Sequence, residues 1–135
     1  MRKKWIVFLP IIMAFLLFIP VKANNEPFVM HTTAYCQGTI TASGAKVRRG
    51  ICAVKREWIG KLAIVYECKD GEIGDVIGYY ECLDTGFGGD ADGDGIGSIE
   101  AGRCIDVYFP TLEECKDWMK QTGGKVYVQF VDAEG

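Results

Sequence analysis

Residues 103–119 read RCIDVYFPTLEECKDWM, and they contain both periodicities that the chain uses. In the first half Ile105, Val107 and Phe109 alternate with Asp106 and Tyr108, so a strand would put the apolar three on one face and the acid with Tyr108 on the other. After Pro110 the period changes. Thr111 and Glu114 make a T-x-x-E capping box, and Leu112, Cys115, Trp118 and Met119 recur at helical spacing, which predicts one short helix over about 112–121, ended by Gly123-Gly124.

Outward from this stretch the chain is a series of short runs rich in Val, Ile, Tyr and Phe, broken by glycine and charge. They lie at Phe28–Tyr35, Ile51–Lys55, Leu62–Cys68, Val76–Leu83, Cys104–Phe109 and Lys125–Val131. Such residues favour strands, and the Asp-Gly in CKDGEIG (68–74) predicts a hairpin between the third and fourth runs. Six short strands with one helix predict a mainly β fold, a small six-stranded barrel, since closure removes exposed edges.

The N-terminus carries Arg2, Lys3 and Lys4, then an uncharged run from Trp5 to Ile19, then Val21-Lys22-Ala23. The run is short for a bilayer span and its flanks suit cleavage, so residues 1–23 read as a secretory signal; the alternative is an uncleaved anchor. Removing it leaves one small domain of 112 residues (135 minus 23). It also removes four of the 15 basic residues, leaving 11 against 18 acidic ones, a formal charge of −7. An acidic domain without a basic run argues against nucleic acid and anionic membrane as partners, and no stable membrane insertion is expected once the signal is gone.

All six cysteines, Cys36, Cys52, Cys68, Cys82, Cys104 and Cys115, follow the signal. In a small exported chain an even count reads as a disulfide-stabilised fold, and proximity in sequence suggests Cys36–Cys52, Cys68–Cys82 and Cys104–Cys115. The alternative is a set of buried thiols behaving as small apolar residues. No CxxC occurs and His31 is the lone histidine, which argues against zinc.

Two carboxylates invite a chemical reading. A lone Asp on a strand is usually an outward, solvated residue. Asp84, however, ends an apolar strand at LDTG, beside glycines that allow close approach of a ligand. If Asp84 and Asp106 converge, repulsion and burial would raise the pKa of one of them and leave a proton donor near neutral pH. A structural reading of Asp84 is an Asx-turn cap.

Between these two acids lies GFGGDADGDGIGSIEAG (86–102). Asp90, Asp92, Asp94 and Gly95 form the D-x-D-x-D-G start of a calcium loop, with Ile96 placed to offer a carbonyl. The twelfth position is Ala101, with Glu100 one place early, and no helix precedes Asp90, so a standard EF-hand is excluded. The segment reads either as a structural Ca2+ loop of another shape or as a solvated acidic loop.

Six short motifs in order carry a resemblance: TAYC (33–36), TASG (41–44), VRRGICAV (47–54), WIGKLAIVY (58–66), LDTG (83–86) and IDVYFPT (105–111). Together they resemble the three-aspartate domain of bacterial cell-wall proteins, a double-psi β-barrel shared with a membrane-bound lytic transglycosylase family. The resemblance implies a short N-terminal lead at 24–32, a barrel domain over 33–135 and an acidic insertion at 87–102. It further implies an exported or wall-associated protein whose partners are peptidoglycan glycan strands, cleaved at the β-1,4 bond between N-acetylmuramic acid and N-acetylglucosamine with a 1,6-anhydro product.

On that reading Asp106 is the general acid and then the base, Asp84 tunes and orients it, and catalysis requires no cofactor. Thr41, Ser43, Gly86 and Tyr108 are the implied substrate-binding residues. Two departures stand out: Lys55 occupies the place of the family's first aspartate, and the link between Asp84 and Asp106 is much longer than the family's short glycine-rich one. Both keep open a non-catalytic glycan-binding or structural wall module. An aspartic protease, suggested by DTG, fits less well because the chain has one such motif, placed late.

Overall fold

A computed structural model describes residues 26–90 and 93–133. The segment 1–23, expected as a secretory signal, and Asp92 lie outside the described residues. In chain order the elements are β1 (Phe28–Tyr35), β2 (Ile51–Ala53), β3 (Lys61–Lys69), β4 (Glu72–Asp84), β5 (Cys104–Tyr108), α1 (Leu112–Thr122) and β6 (Lys125–Asp132). The six strands make one mixed sheet in the order β1-β5-β2-β4-β3-β6, and β6 pairs back onto β1 to close the ring. Two pairs are parallel, β1–β5 and β2–β4, and the rest are antiparallel.

Parallel neighbours require long crossovers, so strands close in sequence are often not neighbours in space. β1 and β5 illustrate this: Thr33 is opposite Asp106 and Tyr35 opposite Tyr108. The β3–β4 hairpin is local. Asp70 (φ 50°) and Gly71 (φ 81°) are its two central residues, both left-handed as the tight hairpin turn demands, between the paired Lys69 and Glu72. The barrel begins at Phe28, since Met30 and Thr32 of β1 are buried.

Inward-facing residues follow the alternation of β1, β5 and β6. Ile105 and Val107 are fully buried, and with Met30, Val54, Val65, Val126, Val128 and Phe130 they fill the interior. Helix α1 closes one side of it. Trp118 is 4% exposed, lies edge-on to Tyr80 (5.8 Å between ring centres) and tilted against Phe109 (5.6 Å). Its indole N–H donates to Thr32 Oγ1 at 2.9 Å, and the same Thr32 hydroxyl donates to the Ile105 carbonyl at 2.9 Å. A buried hydroxyl and a buried indole are thereby both satisfied.

One half of the capping box forms as the sequence predicts, while the Glu114 carboxylate accepts from the Thr111 hydroxyl at 3.0 Å rather than from its backbone N–H. Thr111 Oγ1 accepts from the Glu114 amide at 3.2 Å, and Gly123 (φ 65°) ends the helix in the left-handed conformation. Thr111→Ala is expected to cost about 1 kcal/mol, read as a lower thermal midpoint. The helix face differs from its sequence pattern: Cys115 and Trp118 are buried, whereas Leu112 is 61% exposed. One helix over a small barrel end covers only a narrow stripe, so the outer members of an apolar pattern stay wet.

The disulfide reading is corrected by the structure. All six cysteines are thiols. The sequence-neighbour pairs Cys36–Cys52, Cys68–Cys82 and Cys104–Cys115 are also not the spatial neighbours. Cys52 Sγ is 3.7 Å from Cys82 Sγ, because β2 and β4 run side by side with these two residues in register. Cys36 lies against Cys115 of α1, and Cys104 Sγ is 3.6 Å from Thr33 Oγ1. Strand order, not chain order, sets these contacts. The buried thiols act as small apolar groups in the wall of the barrel.

Candidate active site

Asp84 and Asp106 come together on the outer wall of the barrel, on either side of Ala53. In the register of the sheet Ala53 is the partner of Asp84 on β4 and of Asp106 on β5. The two acids therefore occupy one row, separated by two strand spacings of about 4.8 Å each. Ala53, small and 4% exposed, forms the floor between them.

A local irregularity makes this possible. The β2–β4 register slips between Cys52 and Ala53, so that Cys52 faces Cys82 but Ala53 faces Asp84, with Leu83 left over. By strict alternation Asp84 would share the inward face of Cys82. The extra residue brings it level with Ala53 and onto the face of Asp106 instead.

Each acid is held by a different set of groups. Asp84 Oδ2 accepts from the Tyr35 hydroxyl at 3.2 Å, and Oδ1 accepts from the amides of Ala42 at 3.0 Å and Thr85 at 2.9 Å. Its own carbonyl takes the Val54 amide at 3.0 Å. The Asp84 carboxylate thus ties its own strand end to the Ala42 turn and to Tyr35, through the Thr85 amide rather than the Gly86 amide of an Asx-turn. Asp106 Oδ1 accepts a single short bond from Thr33 Oγ1, 2.8 Å.

Asp106 is half-buried, and its pKa is pushed up to about 6. Burial is the main cause; the negative charge of Asp84 adds to it, and the Thr33 hydrogen bond opposes both. The Tyr35 phenol is pushed well up as well, by burial first and then by Asp84, so it remains a donor. A carboxylic acid with this pKa can release and recover a proton near neutral pH.

A cleft of about 390 Å3 opens over the pair, and Tyr35, Thr85, Gly86 and Ile99 are among its walls. Gly86 is where the LDTG motif would place it. Ile99 comes from the insertion and is 5% exposed, so the insertion builds a wall of the cleft. Its base is closed by backbone bonds: the amides of Ile99 and Glu100 reach the Phe87 carbonyl at 3.1 and 3.3 Å, and Ser98 N–H reaches the Gly89 carbonyl at 2.8 Å. Gly97 is packed so tightly there that a Cβ would overlap the Phe87 carbonyl.

The other sequence-derived site residues fall as follows. Thr41 is buried, its hydroxyl shared with Ser43 Oγ at 2.9 Å and with the Ala45 amide at 3.1 Å. The TASG turn reaches the site through the Ala42 amide on Asp84. Tyr108 meets the Tyr35 ring edge-on, 5.4 Å between centres, beside the cleft. Lys55 Nζ sits over the Trp58 ring, 4.6 Å from its centre, and is not among the groups acting on Asp106.

In the acidic loop, Asp90 accepts from the amides of Asp94 (3.2 Å) and Gly95 (3.0 Å), and Asp94 accepts from the Ile96 amide at 2.9 Å, which holds Asp94 below the usual carboxylate range. Glu100 lies at the insertion's base rather than in this turn. Among the described residues no three ligand-type side chains gather as a metal set.

Thr33, Tyr35 and Ile99 are neighbours of the two acids or walls of their cleft that the sequence alone did not single out. Thr33 and Tyr35 lie in the TAYC motif, but their role depends on β1 pairing with β5. No known family model, curated protein or solved structure matches the chain. Among the described residues no helix is long and apolar enough to cross a membrane.

Proposed function

We propose that the protein is an exported peptidoglycan lytic transglycosylase, with Asp106 as its general acid and base. The observation that carries this reading is the row Asp84–Ala53–Asp106 under one open cleft, with Asp106 pushed up to about 6. The closed ring of six strands with two parallel pairs supports the double-psi architecture of the three-aspartate wall domains.

In the first step the Asp106 carboxylic acid donates its proton to the glycosidic oxygen as the bond from the muramoyl anomeric carbon to that oxygen breaks. The N-acetylglucosamine side leaves as an alcohol. The C6 hydroxyl of the muramoyl ring then attacks its own anomeric carbon and gives its proton back to the Asp106 carboxylate. No water is consumed. Asp84 already accepts three hydrogen bonds, which suits an orienting anion better than a nucleophile or a water-activating base, the second role in paired-carboxylate hydrolases.

Product mass tests the reading: new glycan ends lighter by one water support it, and reducing ends contradict it. The competing module, a glycan binder without catalysis, draws on Lys55 in place of an aspartate, and it predicts glycan retention with no new ends. Tyr35→Phe removes one donor from Asp84 and leaves the two amides. The cleavage rate is expected to fall about tenfold, with a shifted pH profile, because Asp84 then orients and charges Asp106 differently.

A further inference from the structure

The cleft over Asp84 and Asp106 does not end at the LDTG turn. Across Thr85 and Gly86, which line both, a second depression of about 430 Å3 opens, lined also by Arg56, Glu57, Phe87 and Glu100. Phe87 and Glu100 belong to the insertion and are pinned together at its base by the Glu100 amide on the Phe87 carbonyl. Arg56 and Glu57 come from the 3-10 turn Arg56–Trp58 after β2. Phe87 is 50% exposed. Among the described residues no carboxylate lies within ion-pair reach of Arg56, although two share its cavity.

A cavity rimmed by one guanidinium and two carboxylates, held apart, is poorly matched to a neutral sugar ring. It suits a zwitterionic chain, whose carboxylate would meet Arg56 and whose ammonium would meet Glu57 and Glu100. Its position matters as much as its charge, because it adjoins the point of cleavage, and the ring cleaved on the proposed reading bears a peptide. We propose that this depression is a subsite for the stem peptide on the muramoyl residue, so that the protein selects peptide-bearing over peptide-free glycan. The exposed Phe87 ring supplies apolar cover for the peptide's first side chains. The insertion that lengthens the link between the two acids is then the specificity element. This inference rests on the transglycosylase reading.

The test uses the mature chain carrying Asp106→Asn, which holds glycan uncut, and measures binding of a muramoyl tetrasaccharide with its stem peptides and of the same glycan stripped by an amidase. The peptide-bearing form is expected to bind about tenfold more tightly, and adding Arg56→Gln should remove that preference without weakening the stripped glycan. Acetylating the peptide amine should reduce the preference in part, through Glu57 and Glu100. Equal affinity for both glycans, or a preference that survives Arg56→Gln, overturns the subsite. Anhydro ends made by the wild type at equal rates from both glycans sink the subsite alone. If the wild type makes no new ends and neither glycan binds, the transglycosylase reading fails and the subsite with it.

Discussion

Asp106→Asn is expected to lower glycan cleavage roughly a thousandfold, the scale on which a positioned general acid and base contributes. The amide keeps the shape of the side chain and can still accept from Thr33, but it cannot donate and recover a proton. The wild-type rate should itself depend on pH in a defined way. Above about 6, where Asp106 loses its proton, kcat/KM should fall about tenfold per pH unit, because the first step needs the protonated acid.

The same substitution should move stability in the opposite direction. Asp106 is raised from 3.8 to about 6, so the folded chain binds this proton more tightly than the unfolded chain does. Between those values stability falls as pH rises, and at pH 7 the folded protein carries a half-buried charge at a cost. Asp106→Asn removes that cost, and at pH 7 the variant should be more stable by roughly 2 kcal/mol, after discounting for partial exposure. Below about pH 4 the difference should vanish. Denaturant unfolding of both proteins across this range reads it directly; a variant less stable than wild type at pH 7 would mean that Asp106 is not held at a desolvated site.

Trp118→Ala carries the largest stability cost, expected at about 3–5 kcal/mol. The side chain is nearly fully buried, packs on Tyr80 and Phe109, and donates to a Thr32 hydroxyl that is itself buried. Alanine leaves a cavity where α1 meets the barrel and takes away one of the hydroxyl's partners. Thr32 also holds the carbonyl of Ile105, the residue before Asp106, so the damage reaches the strand that carries Asp106. Trp118→Phe is a milder change. It keeps one six-membered ring between α1 and the barrel but loses the N–H donor and the rest of the indole, and it should cost about 2 kcal/mol. Urea midpoints for the two variants should therefore differ clearly, and equal losses would show that the ring retained by phenylalanine contributes nothing.

Much of the fold was legible because its signals are local. The run Phe28–Tyr35 is β1 residue for residue, Asp70-Gly71 turns the hairpin, and Thr111 caps α1 as its box predicts. The candidate pair was legible as two acids at strand positions. What joins them was not, since the ring order β1-β5-β2-β4-β3-β6 is set by long-range pairing, and a register slip at Leu83 turns Asp84 to the right face. For the same reason cysteines near in sequence are not near in space, while Cys52 and Cys82 are. Lys55 shows a different limit. Its charge is visible in the sequence, but the Trp58 ring under its ammonium is a fact of packing. The acidic centre of the insertion is its most conspicuous sequence feature, whereas the residues it contributes to the two cavities, Ile99, Phe87 and Glu100, are the quiet ones at its base.

On the proposed reading Asp106 performs both proton transfers and no water enters the product. Digestion of peptidoglycan by the wild-type protein in water enriched in heavy oxygen, with products read by mass, decides the point. New muramoyl ends lighter by one water and free of the heavy isotope are the expected result, absent with Asp106→Asn. Reducing ends that carry the heavy isotope would show hydrolysis and contradict the mechanism.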